Sequence, residues 1–217
     1  GKTGVDLGVL KNQIGLFANP KMVLVDSNYL ETVNAREIRS GVAEIIKYGL
    51  TYDARLYQQL KNNLDDNIVD LIHRSIEIKN EVVLEDPKEK YLRKILNFGH
   101  TIGHAIESYF LDSDKKENLT HGEAIAIGMV SECYLSVQLF DFPENELKGL
   151  KEMVVNLYGK TIILKNDYPA ILNYLKHDKK NVAGQVNFVL LNDIEETKID
   201  CKVSAEIIIE SLEYYSS

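Results

Sequence analysis

Apolar residues recur along most of the 217-residue chain at intervals of three and four, the spacing of helices that bury one face. Asn34 with Glu37 three residues on has the form of a capping box, and Ile38, Val42 and Ile45 follow at helical spacing, which predicts a first helix to about residue 50. A second helix is expected over 53–62. A third, over 67–84, carries its apolar arc on Ile68, Ile72, Ile76 and Val83 until Pro87 interrupts. The pattern predicts a fourth helix over roughly 89–110. After a polar loop at 112–118, Thr120 and Glu123 repeat the capping signature and open an apolar helix through about 139. A sixth helix over 145–157 and a short one from about 169 to 176 precede a strand at 185–191. That strand pairs across a turn with 198–203, and a helix over 205–215 closes the chain.

The expectation is therefore a mainly α, multi-helix domain with a short β-hairpin near its C-terminus. Residues 1–33, rich in Gly, Asn, Pro and short apolar runs, read as a connecting segment of loop and strand. No repeat, low-complexity tract or Pro/Gly/Ser linker divides residues 34–217.

Composition narrows the classes. At 45% apolar the chain can bury a proper core, and its formal charge of -8 excludes a polybasic scaffold for nucleic acid or an anionic membrane surface. Its longest apolar runs, such as residues 125–130, fall far short of the ~20 residues that cross a bilayer. Neither nucleic acid nor membrane is expected as a partner. Cys133 and Cys201 are too few and too far apart for a disulfide framework, so a cytoplasmic setting is expected. The chain opens on Gly1-Lys2-Thr3 rather than methionine. That triplet lacks the helix that would follow it in a phosphate-binding P-loop, and no GxGxxG dinucleotide fingerprint occurs.

Chemistry concentrates on the expected fourth helix. Arg93, Asn97, His100 and His104 fall within an arc of ~60° along ~16 Å, one polar stripe on an otherwise largely apolar helix. Such a stripe faces water or lines a cavity. His100, His104 and His121 lie within 22 residues, which favours the cavity. Two histidines four apart can ligate one metal, although the Glu of HExxH is missing. His121, placed first on its helix by the Thr120 cap, meets a dipole that disfavours imidazolium, and a metal needs the neutral ring. Glu44, on a face with Gly41 and Lys47, is either half of a surface ion pair worth ~0.3 kcal/mol or the carboxylate of a His/His/Glu zinc site with an open fourth position. Lys79 interrupts the apolar arc of the third helix and must snorkel or meet an anion. Gly99 and Gly103 would admit another backbone or a ligand close to the fourth helix.

Several long runs then resemble one family in order along nearly the whole chain. They are Gly1-Lys-Thr-Gly-Val-Asp6, Lys11-Asn12, Arg39-Ser-Gly-Val-Ala-Glu44-Ile-Ile-Lys47-Tyr-Gly49, Leu96-Asn-Phe-Gly-His100-Thr-Ile-Gly-His104-Ala-Ile-Glu107 and His121-Gly-Glu-Ala-Ile-Ala-Ile-Gly128. They are similar to 3-dehydroquinate synthase, over its C-terminal helical domain and the segment leading into it. The family's N-terminal α/β dinucleotide-binding domain falls outside the chain.

The resemblance implies an enzyme of the shikimate pathway that converts 3-deoxy-D-arabino-heptulosonate 7-phosphate, a sugar phosphate, into 3-dehydroquinate and phosphate, with catalytic NAD and Zn2+ or Co2+, as a homodimer when full-length. It implies Glu44, His100 and His121 as metal ligands and His104 as an aid to proton transfer. Lys2, Asn12, Asn97 and Lys179 would hold the substrate phosphate. Lys47, Lys79 and Arg93 would meet the substrate's hydroxyls and carboxylate, and Lys11 would contact NAD. Charged and directional donors of these kinds suit a dianionic phosphate and a carboxylate. The chain departs from the family at Tyr91, where glycine is usual, and this raises a question about the local backbone. Related sugar-phosphate cyclases and a non-catalytic metal-binding helical module stand as the alternatives.

Overall fold

Thirteen residues of one helix, His121–Leu139, are buried, and elements from both sides of it in the sequence pack against it. In the computed structural model, residues 2–7, 10–62, 68–176 and 186–217 are described. The helices are α1 (Ala35–Thr51), α2 (Ala54–Asn62), α3 (Ile68–Glu85), α4 (His100–Asp112), α5 (His121–Leu139), α6 (Glu144–Tyr158), α7 (Tyr168–Lys176) and α8 (Ala205–Ser216). Two antiparallel hairpins join them, β1 (Lys2–Leu7) with β2 (Leu10–Phe17), and β3 (Phe188–Asp193) with β4 (Glu196–Cys201). The fold is mainly α, as the pattern predicts.

Helix α5 is apolar around its whole circumference, which is how a helix reads when it is enclosed on all sides. It packs against α1, α4, α6, α8 and β3. Its Ile125, Ile127, Met129, Val130, Cys133 and Leu135 join Ile46 and Leu50 of α1, Ile102 and Ile106 of α4, Leu150 of α6 and Leu212 of α8 in one core. The Thr120 cap forms as expected and is reciprocal, with Glu123 N donating to Thr120 Oγ1 and Thr120 N donating to Glu123 Oε2. At α1 the Asn34 side chain caps Arg36 N at 2.8 Å.

Two sequence expectations change. The fourth helix is broken. Leu92–Asn97 forms a 3-10 helix, Phe98 is extended, and the α-helix starts only at His100 after Gly99 turns to φ +75°. A left-handed residue cannot continue a helix, so Arg93 and Asn97 do not share a helical face with His100 and His104. On α3 the buried positions are Leu71, Ile78 and Val82, whereas Ile76 of the expected arc is 43% exposed. That helix carries apolar residues on several sides, and its neighbours rather than its own periodicity select the buried one. The connecting segment 1–33 forms the first hairpin and a short 3-10 helix, Ser27–Thr32, capped by Asp26. Met22, Val23 and Leu24 in it stand exposed. No helix among the described residues is long and apolar enough to cross a membrane.

Candidate metal centre

Three helices bring the chemistry together. Helices α4 and α5 meet where Gly128 faces the backbone of Gly99 and Gly103, so closely that a Cβ at 128 would lie 2.7 Å from Gly103 N. The crowding expected beside Gly99 and Gly103 is this approach of α5. Helix α5 begins against α1, with Gly122 N donating to Ser40 Oγ at 2.9 Å. Arg36 of α1 spans to Glu123 with two 2.8 Å bonds. Thus Glu44, one turn along α1 from Ser40, faces the first residues of α4 and α5.

His100, His104 and His121 form a cluster in which one ring nitrogen from each lies within 4.8 Å of the others. The ring centroids are 5.3 Å apart for His100 and His104, 5.5 Å for His100 and His121, and 5.7 Å for His104 and His121. Nδ1 of His100 lies 3.0 Å from the carbonyl oxygen of Phe98. A carbonyl only accepts, so Nδ1 carries the proton and Nε2 presents its lone pair. His121 is oriented similarly, with Nδ1 3.2 Å from Oε2 of the buried Glu107. A carboxylate behind an imidazole fixes the tautomer and raises its basicity, as at metal-ligating histidines generally.

Glu44 Oε1 lies 3.2 Å from His100 Nε2 yet makes no hydrogen bond, and it is closed to solvent. Its other oxygen accepts from Lys47 Nζ at 2.7 Å. Burial alone would push the Glu44 carboxyl up, but the adjacent Lys47 ammonium holds it well below the usual carboxylate range. Lys47 is only 2% exposed, so the Glu44–Lys47 pair is no ordinary surface pair. Three histidine nitrogens therefore converge and Glu44 lies against one of them, His100, with a fixed cation behind the acid; nitrogen and oxygen donors of this kind suit zinc or cobalt.

The remaining expected residues are spread around this centre. Arg93 is buried on the 3-10 helix, where it donates to Pro87 O at 2.8 Å and lies over the Phe17 ring at 5.6 Å. Asn97, at the end of that helix, donates to Glu89 Oε1 at 2.7 Å. The 86–93 turn is tied down by Asp86, which accepts from the backbone of Lys90, Tyr91 and Arg93. Tyr91 takes φ -137° and ψ -98° with its ring in solvent. Lys79 is exposed on α3 rather than buried against an anion. Lys2 lies on β1 and Lys11 and Asn12 on β2, with side chains outside what is described, and Lys179 lies outside the described residues. Glu107 went unassigned in the sequence reading. Its spacing, three residues beyond His104 and seven beyond His100 on α4, marks the same face.

Family models support the likeness read from the motifs. The one described as 3-dehydroquinate synthase C-terminal matches residues 41–181, and the one described as 3-dehydroquinate synthase N-terminal matches residues 1–40. A 3-dehydroquinate synthase of Parabacteroides distasonis is 39% identical over 99% of this chain and 62% of its own length. One of Caldanaerobacter subterraneus is 44% identical over 88% of this chain and 54% of its own length. The chain thus spans about three fifths or less of these relatives. Among solved structures, the 2-epi-5-epi-valiolone synthase of Streptomyces hygroscopicus, with NAD+ and Zn2+ bound, shares the fold at TM-score 0.85 and 24% identity, over 99% of this chain and 61% of its own. A 2-deoxy-scyllo-inosose synthase complexed with carbaglucose-6-phosphate, NAD+ and Co2+ aligns at TM-score 0.77 and 25% identity, over 98% of this chain and 62% of its own. Matched by both family models and by curated members over nearly its whole extent, the chain belongs to the 3-dehydroquinate synthase family.

Proposed function

We propose that these 217 residues are the metal- and substrate-binding part of a 3-dehydroquinate synthase, an NAD- and metal-dependent lyase that forms 3-dehydroquinate and phosphate from 3-deoxy-D-arabino-heptulosonate 7-phosphate in the shikimate pathway. The observation that carries the reading is Glu44 Oε1, buried and without a hydrogen bond 3.2 Å from a histidine nitrogen whose ring proton sits on its other nitrogen. Two lone pairs facing each other at that distance repel unless a cation lies against both. The donor set therefore fits a divalent ion held by Glu44, His100 and His121, with zinc and cobalt both suited.

When bound, such an ion supplies Lewis-acid polarisation of a substrate hydroxyl while NAD takes up hydride. The chain's own residues do the rest. His104, within the histidine cluster, is placed to move a proton beside the bound substrate. Lys47 keeps Glu44 ionised and offers a fixed positive charge to substrate oxygens. Arg93 and Lys79 serve the hydroxyls and carboxylate, and Lys2, Asn12, Asn97 and Lys179 the phosphate, with Lys11 toward NAD. Their joint work is to hold a polyanion in register.

In this reading residues 1–33 connect the helical domain, 34–217, to a dinucleotide-binding portion. The full protein is cytoplasmic and homodimeric. The relatives at 39–44% identity carry the 3-dehydroquinate synthase name, while the solved cyclases of other products stand at 24–25%, which supports the former substrate.

Zinc titrated into the chain, followed calorimetrically, tests the centre. One ion is expected per chain, with affinity lowered at least about tenfold in Glu44→Ala and His121→Ala. Equal affinity in all three would remove the metal reading. Supplied with NAD and the heptulosonate, the chain alone is expected to form no dehydroquinate. Joined to a relative's dinucleotide-binding portion it should release phosphate, and a different carbocycle from another sugar phosphate would point to a related cyclase.

A further inference from the structure

Glu132 is a fully buried acid in the middle of an apolar helix, and the proposed chemistry gives it no task. It lies one turn beyond Gly128 on the face of α5 that meets α4. There its carboxylate receives the backbone of another helix. Oε2 accepts from Gly99 N at 2.7 Å, and Oε1 accepts from Thr101 N at 3.1 Å and Ile102 N at 3.2 Å. These are amides that a helix cannot satisfy at its own start. Normally the N-cap side chain serves them, but the N-cap of α4 is Gly99, which has no side chain. One carboxylate from α5 thus does the work of both halves of a capping box.

His100 is the residue between the clamped amides. The Phe98–Gly99 peptide, one residue back, is held through the Gly99 amide, the His100–Thr101 peptide through the Thr101 amide, and the ring through Phe98 O. With backbone and Nδ1 both fixed, the direction of Nε2 is set before any ligand arrives. Gly99 at φ +75° makes the turn that lets the clamp close.

We infer that Glu132 is a positioning residue for the metal centre, aiming His100 Nε2 by capping α4 from the neighbouring helix. The inference rests on the metal reading above. Glu132→Gln keeps the volume but replaces one acceptor oxygen with an amide NH2, which faces backbone N–H groups donor to donor. Either the Gly99 amide or the Thr101 and Ile102 amides then lose their acceptor, and the backbone on one side of His100 is released. Outer partners of metal ligands typically change affinity by about 10–100-fold.

The test compares the parent chain, E132Q and Leu150→Ala for thermal unfolding, zinc affinity and the visible absorption bands of the cobalt complex. Leu150 is a fully buried core residue of α6, a helix that carries none of the proposed ligands. E132Q is expected to bind zinc about tenfold or more weakly and to shift the cobalt bands. Leu150→Ala should lose thermal stability yet keep the parent's affinity and bands. Parent-like affinity in E132Q, or an equal loss in Leu150→Ala, overturns the positioning role and leaves the metal reading intact. A parent chain that takes up no zinc sinks both. Should E132Q fail to fold, Glu132→Asp, which keeps both oxygens but draws them back by one methylene, stands in with the same expected direction.

Discussion

Adding one methyl group at Gly128 should separate the two helices that carry the histidines. A Cβ there would lie 2.7 Å from Gly103 N and 2.9 Å from Gly103 Cα, and closer still to the carbonyl oxygen of Gly99. All three are backbone atoms, which cannot rotate aside as a side-chain end could. Ordinary contact begins near 3.4 Å, so the Gly103 amide alone requires α4 to retreat by about 0.7 Å, and the Gly99 carbonyl requires more. Overfilling a packed interior costs ~1–3 kcal/mol, and rigid neighbours put this case at the upper end. Alanine returns ~1 kcal/mol of helix propensity, which leaves a net loss of ~2 kcal/mol. For a chain of this size that lowers Tm by about 4–8 °C. Gly149→Ala on α6 is the matched control, since a Cβ there meets nothing within 4 Å. It should raise Tm by about 2–4 °C through propensity alone. Circular dichroism melts of both variants against the parent read the difference. Gly128→Ala melting at or above the parent would refute the argument that backbone contact at this crossing spaces the site.

Two further outcomes follow from named pairs. Burial by itself would raise the Glu123 carboxyl, but its bonds from Arg36 and from the Thr120 backbone hold it below its ordinary value of 4.5. A lowered folded pKa gives stability that is complete above 4.5 and fades as pH falls through the lower folded value. Glu123→Gln should therefore be less stable than the parent at pH 7 and converge with it in acid; curves that stay parallel by urea unfolding would discredit the pairing. Glu107→Gln should weaken zinc binding about tenfold with little loss of folded structure, because the amide orients His121 less firmly than a carboxylate. Unchanged affinity by chelator competition would show that Glu107 merely fills space.

Where helix boundaries are written in local chemistry, the sequence was legible. Asn34 and Thr120 cap α1 and α5, although only Thr120 forms the reciprocal box with its Glu, and the last helix lies where periodicity puts it; the C-terminal hairpin forms as expected but with its strands at Phe188–Asp193 and Glu196–Cys201 rather than 185–191 and 198–203. The histidine cluster was also readable, because His100 and His104 share one α-helix whatever precedes it. The stripe back to Arg93 failed because a glycine inside an apolar, helix-like run gives no sign of its φ. Only the packing of Met129 and Gly128 against it demands the left-handed turn. The buried side of α3 was hidden for a different reason, since apolar residues on several sides admit more than one arc. Glu107 and Glu132 were overlooked because their value lies in atoms on other segments, which spacing along one helix does not reveal.

The thiol of Cys133 turns the central helix into its own reporter. It is wholly enclosed on α5, and burial pushes its ionisation well above the ordinary range, so alkylating reagents meet a reactive thiolate only in molecules that have opened. The rate of Cys133 labelling in the native buffer therefore measures how often α5 breathes away from its neighbours. Slower labelling on addition of zinc would register a grip on His121 through the same rod, with no mutation and no attached dye.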